Sequence, residues 1–170
     1  TLRGESWSSV TRQGIDGLSF VPYGFLSDQH RDRFNDDVVA PDECLAQGLS
    51  EIEGKRTDYT LFDTAPGPSG FQRAVVEQAD LVLVVILPDA ASFITVPSVQ
   101  RSIEAYAGTR ARRFSGLFFL INRMNDGRVL CRDVQDMLRQ RLGDRLVPTT
   151  VHFDAAAEEA LPLLAVQVDA

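Results

Sequence analysis

Ala79–Leu87 reads ADLVLVVIL and is closed by Pro88 and Asp89. A strand with one wet face carries a polar side chain at every second position. This run carries none after Asp80, which predicts a strand covered on both faces, as in a parallel sheet. Its apolar part, Leu81–Leu87, is far short of the ~20 residues that a membrane-spanning helix needs.

Working outward, helical and apolar segments alternate. Phe71–Gln78 precedes the run and reads as a helix, and Pro97–Tyr106 follows it as another. A basic turn through Arg110, Arg112 and Arg113 leads to a second apolar strand, Leu117–Ile121 (LFFLI), which ends in Asn122. Val129–Leu142 is amphipathic, with Val134, Met137, Leu138 and Leu142 on the inner face and Gly143 as the stop. Arg145–Val151 reads as a last strand and Ala155–Leu164 as a last helix. Upstream, Tyr59–Phe62 (YTLF) is a short buried strand ending in Asp63. Pro41 to about Arg56 is a helix in which Leu45, Leu49 and Ile52 share one face, with Pro41 in the first turn where its missing N–H costs nothing. Leu18–Tyr23 (LSFVPY) is β-prone, after a turn bracketed by Gly14 and Gly17. The stretch from Ser27 to Pro41 is polar and patternless.

Strands alternating with helices predict an α/β domain with a doubly wound, mainly parallel sheet. Its strands are expected near 18–23, 59–63, 81–87, 117–121 and 146–151. No repeat or linker divides the 170 residues, which predicts a single domain.

Composition limits the function. The chain is 44% hydrophobic and 24% charged, an ordinary globular balance. It carries 24 acidic and 17 basic residues, net −7, which argues against nucleic acid as a partner because phosphate binding needs a basic surface. Lys55 is the single lysine and the other basic residues are Arg, as a GC-rich genome would encode. Cys44 and Cys131 are far apart, and so are His30 and His152. The cysteines read as free thiols in a reducing compartment, and the isolation of both residue types predicts no zinc site. No signal peptide is recognisable, and Thr1 in place of Met predicts that the chain starts inside a longer product or after processing.

In doubly wound sheets ligands bind beyond the carboxyl ends of the strands. That rule selects Asp63–Gly70, Asn122–Gly127 and His152–Glu158. Asp63 at a strand end suits Mg2+, directly or through water, and Gly67 would let backbone N–H approach a phosphate. Asp63 as a helix cap or turn residue is the other reading. The Asn122 amide can donate to and accept from a base edge, or serve a turn. Asp154 suits the N-cap of the helix that begins at Ala155, and His152 a plain surface position. The arginines at 110, 112 and 113 fit a solvated turn or a partner patch. No GxxxxGK[ST] loop is present, and Gly54-Lys55-Arg56 does not supply one.

These segments together resemble a known family. DYTLFDTAPGPSG (Asp58–Gly70) is similar to the Walker B and switch segment of the MinD/ParA family of deviant-Walker P-loop ATPases. ADLVLVVILPDAASF (Ala79–Phe93) resembles its next strand, and FFLINRMND (Phe118–Asp126) its base-recognising Asn-Arg segment. RLVPTTVHFDAAAEEAL (Arg145–Leu161) and LSFVPYGFLSDQHRDRF (Leu18–Phe34) resemble the cellulose-biosynthesis branch, the BcsQ/YhjQ proteins.

The resemblance implies a P-loop NTPase-like fold, incomplete at the N-terminus, and roles for particular residues. Asp63 would be the Walker B aspartate near Mg2+ and Gly67 the switch glycine near the γ-phosphate. Asn122 and Arg123 would lie against adenine, and His152, Phe153 and Asp154 beside base and ribose. It implies ATP and Mg2+ as cofactors of the complete protein and a homodimer with nucleotide at the interface. It also implies work with the cellulose secretion machinery at the cytoplasmic side of the membrane. Residues 1–170 would then be one MinD/ParA-like domain without the upstream P-loop segment and without the C-terminal end. Phe153 stands where the branch tends to have Arg. Residues 1–170 alone are expected not to hydrolyse ATP.

Three functions remain open at this level. The first is an accessory ATPase of cellulose biosynthesis. The second is a ParA- or MinD-type partitioning or positioning ATPase, for which a basic DNA-binding face or an amphipathic membrane helix would speak; Leu161–Ala170 has no Lys or Arg. The third is an interaction domain that has lost nucleotide binding.

Overall fold

The computed structural model describes residues 6–14, 17–22, 41–53, 59–107 and 114–156. The chain divides into two compact units, Thr1–Ala79 with Tyr106–Ala111, and Asp80–Ala105 with Arg112–Ala170.

The first unit begins with α1 (Trp7–Val10) and the two-residue strands β1 (Arg12–Gln13) and β2 (Ser19–Phe20). Leu18–Tyr23 was expected in the parallel sheet. Instead Ser19 and Phe20 pair antiparallel with Gln13 and Arg12. The reason is local: Gly14 N–H donates to Leu18 O at 2.8 Å and Gly17 turns the chain at φ +79, so the segment folds back on its own neighbour. Next come α2 (Pro41–Glu53) and α3 (Gly70–Gln78), both where the periodicity puts them. Ser69 caps α3 by accepting from Gln72 N–H at 3.0 Å. Leu45, Ala74 and Val75 form the unit's core, with Trp7, Leu49, Phe62 and Phe71 packed on it.

Tyr59–Asp63 does not form the expected strand. Tyr59 and Leu61 are 88% and 89% exposed, and only Phe62 turns inward. Alternation sends one side chain of the segment to the core, and among the described residues no ladder takes up its backbone.

The second unit is a βαβ crossover extended by one helix. β3 (Leu81–Ile86) and β4 (Gly116–Ile121) run parallel in a register from Leu81 opposite Gly116 to Ile86 opposite Ile121. Both strands and their direction match the sequence reading. Beyond β4, Val147 and Val151 N–H donate to Phe119 and Ile121 carbonyls, each at 2.9 Å, so the strand expected near 146–151 is reduced to an extended segment beside β4, held through an isolated parallel bridge from Phe119 to Leu146. β3 is not covered on both faces. Leu81, Leu83 and Val85 are 45–56% exposed, while Ile86, Leu117, Phe119 and Ile121 are buried. A continuous apolar run hides which alternate set meets the core.

α4 (Ala90–Ala107) begins seven residues before the predicted Pro97 and holds the proline inside it. Asp89 nucleates it early: its carboxylate accepts from Ser92 N–H at 2.7 Å and its carbonyl from Phe93 N–H at 3.1 Å. α5 (Val129–Leu142) has the predicted bounds and ends at Gly143, φ +53. Its buried stripe is Cys131, Val134, Leu138 and Leu142. Met137, predicted inside, is 45% exposed, because the stripe centres one step round the helix and takes in Cys131 instead. A single 3-10 turn, Gly143–Arg145, leads into the last extended segment. The Arg110, Arg112 and Arg113 cluster, Lys55, and residues 157–164 of the predicted last helix lie outside the described residues.

Candidate functional site

Asp63 and Gly67 belong to the first unit. Asp63 is exposed and makes no hydrogen bond among the described residues. Gly67 turns the chain at φ +97 with open space where a Cβ would sit. A β-branched or bulky residue would be strained at that φ, so this glycine is conformationally required. Among the described residues no three Asp, Glu, His or Cys converge as a metal cage. An accessible carboxylate is open to Mg2+ that arrives with a phosphate, since that ion keeps most of its waters and takes few protein ligands.

Asn122, Arg123, His152, Phe153 and Asp154 belong to the second unit, and there the structure brings the first four together. β4 ends at Ile121, and Asn122 N–H continues its ladder to Ile86 O at 2.8 Å. The chain then turns sharply. Arg123 has φ +57, the one positive φ outside glycine among the described residues. The Asn122 side-chain oxygen accepts from Arg123 N–H at 2.9 Å, which supports the turn and leaves the amide NH2 to donate elsewhere.

Met124, 1% exposed, anchors the turn. Its N–H donates to Val151 O at 3.0 Å, and its carbonyl accepts from Phe153 N–H at 2.9 Å. Met124 and His152 are thereby bridged in parallel, and the two loops are joined backbone to backbone. Above the join, the Arg123 guanidinium lies 5.2 Å from the centre of the Phe153 ring. His152 Nε2 meets Asp126 Oδ2 at 3.0 Å. Asp154 follows its capping role: Oδ1 accepts from Ala156 N–H at 2.9 Å.

The residues of the second unit bring an amide, a planar cation and an aromatic face together. Those are the groups that bind a heterocyclic base: hydrogen bonds at its edge and stacking on its plane. Sequence reasoning missed Asp126 and Met124. Met124 carried a signal, an apolar residue isolated between polar ones in NRMND. Asp126 carried none, since its partner is 26 residues away.

Among the described residues no helix is long and apolar enough to cross a membrane. The family model described as "Cellulose biosynthesis protein BcsQ" matches residues 1–166. No curated protein matches the chain. The fold is similar to that of a plasmid partition protein from Borrelia burgdorferi, with a TM-score of 0.67 at 16% identity over 99% of this chain and 69% of the other.

Proposed function

The chain belongs to the BcsQ family of cellulose biosynthesis proteins, and on that premise we propose that it acts as an accessory ATPase of bacterial cellulose biosynthesis and secretion. The observation that carries the reading is the joined loop pair. Asn122–Met124 and Val151–Phe153 follow adjacent parallel segments, where doubly wound folds bind ligands, and hold base-binding groups. Asn122 and Arg123 contact the adenine, while His152, Phe153 and Asp154 flank base and ribose. Asp63 holds Mg2+, and Gly67 lets the backbone approach the γ-phosphate. Mg2+ bound with ATP supplies charge neutralisation on the phosphates. The protein works as a homodimer beside the cellulose synthase secretion components, at the cytoplasmic side of the membrane. Residues 1–170 act as one MinD/ParA-like domain.

A second reading, an interaction domain without nucleotide chemistry, is favoured by one observation: Tyr59–Asp63 stands outside any ladder among the described residues. The two readings separate in the intact gene product. An ATPase binds Mg-ATP, and Asp63→Ala cuts its turnover steeply while the fold survives, because an exposed carboxylate contributes little packing. If Asp63→Ala turns over at the parental rate, Asp63 is only a turn residue. If the parent binds no nucleotide, the second reading stands.

A further inference from the structure

The pairing of Asp126 with His152 is not used by the site as derived so far. Three hydrogen bonds join the two loops: between Met124 N–H and Val151 O at 3.0 Å, Phe153 N–H and Met124 O at 2.9 Å, and His152 Nε2 and Asp126 Oδ2 at 3.0 Å. The first two lie beside the buried Met124. The third is the outer fastening, between side chains that are 60% and 68% exposed. Asp126 is itself held, because Arg132 Nη1 from α5 donates to its carbonyl. His152 is the residue immediately before Phe153, so holding its ring limits where the Phe153 ring can go. Phe153, 41% exposed, faces the Arg123 guanidinium, and Arg123 is already committed to a left-handed turn. Strain of that kind persists only where surrounding contacts hold it.

We propose that Asp126 is a positioning residue for base binding: through His152 it fixes Phe153 against Arg123, and the fixed pair forms a stacking platform for a purine nucleotide. The inference rests on the nucleotide-binding reading above and adds to it the element that orders the platform. Asp126 touches no nucleotide. It acts by keeping the loop of Val151–Phe153 in the arrangement that binds.

The test uses the intact gene product with ATP as probe and two readouts. Without nucleotide, amide exchange of Met124 and Phe153 reports the join. An exposed side-chain pair is worth little, so Asp126→Ala should lower protection of these amides by about two- to five-fold. Asp126→Asn should restore most of it, since its side-chain oxygen still accepts from the imidazole N–H. With nucleotide, Asp126→Ala should weaken ATP binding by a similar factor, raising KM with kcat nearly unchanged. Phe153→Leu should weaken binding more, by about five-fold or greater, as expected when a base loses an aromatic face, while amide protection stays parental.

Parental protection in Asp126→Ala would overturn the latch. Reduced protection with unchanged ATP affinity, while Asn122→Ala still weakens binding, would overturn the positioning role and leave the nucleotide site intact. Unchanged ATP affinity in both Asn122→Ala and Phe153→Leu would overturn the nucleotide reading and this inference with it.

Discussion

Arg141 replaces the hydrogen bond that Pro97 cannot make. Inside α4 the Phe93 carbonyl should accept from the N–H four residues on, and that residue is Pro97, which has none. Arg141, on α5, donates Nη1 to this carbonyl at 3.2 Å and sets its guanidinium 4.4 Å from the centre of the Phe93 ring. One side chain therefore satisfies an orphaned acceptor and stacks on the residue that owns it. Arg141→Ala should destabilise the protein by about 1 kcal/mol, the scale of one partly exposed hydrogen bond with a cation–π contact. Pro97→Ala returns the backbone N–H, so the same arginine deletion should cost less in that background. A double-mutant cycle by urea unfolding measures the coupling; zero coupling would show that water satisfies the carbonyl equally well.

In the first unit, Gly48 lies beneath the Trp7 indole. A Cβ at this position would sit closer to the ring than carbon atoms can approach. Gly in a helix interior normally loses to Ala by about 1 kcal/mol. Here the order should reverse. Trp7 packs on the cluster of Leu45, Ala74 and Val75 and cannot back away cheaply. Gly48→Ala should lower stability by about 1–3 kcal/mol, the range for overpacking. Trp7 is the sole tryptophan, so its emission should shift to the red as the ring is displaced. An unshifted, more stable variant would show that helix propensity wins.

Glu51 ties the same tryptophan to pH. Its Oε2 accepts from Ser6 Oγ and from Trp7 N–H, both at 2.6 Å. The Ser6 hydroxyl first, then the Trp7 N–H, hold its carboxyl below the ordinary glutamate range, against a partial desolvation that acts the other way. A lowered folded pKa means that the unfolded chain binds more protons in the interval between the two values, so stability rises with pH across it. The Glu51 contribution is complete above the ordinary glutamate pKa and disappears as pH falls through the lowered one. α1 has only four residues and cannot persist alone. Acid titration of Trp7 fluorescence should show it loosening at the low end of this window, and Glu51→Gln should flatten the transition.

Strong periodicity made parts of the fold legible. Val129–Leu142 has a stripe at helical spacing and a glycine at its end, and the helix has those bounds. The parallel pair Leu81–Ile86 and Gly116–Ile121 follows from two apolar runs separated by a helix. The failures turn on backbone partners that composition does not name, some distant and some near. Pro97 looked like a helix start because Arg141's compensation is 44 positions away in sequence. Leu18–Tyr23 had the composition of a sheet strand, but the glycine turn offered a nearer partner. In the candidate site, Asn122 and His152 were legible as strand-end polar residues. Of the groups at the join of their loops, the buried Met124 left a local sign in NRMND, whereas Asp126, whose partner His152 is 26 residues away, left none.

Asn122 supplies the sharpest test of the base-side chemistry. Its oxygen is engaged by Arg123 N–H at 2.9 Å, so its amide NH2 is the group left to meet a base. A donor at that point suits a ring-nitrogen or carbonyl acceptor. Asn122→Ala removes both the turn support and the donor. ATP binding by the intact gene product should weaken by about 1–3 kcal/mol, the cost of leaving a buried partner unmade, with less discrimination against GTP. Asn122→Asp separates the two roles. Its carboxylate can still accept from Arg123 N–H, which keeps the turn, but it has no hydrogen to give the base. If the donor matters, Asn122→Asp should bind ATP as poorly as Asn122→Ala while retaining the amide protection of Met124. If Asn122→Asp instead binds like the parent, Asn122 serves the turn alone and the base is read by Arg123 and Phe153.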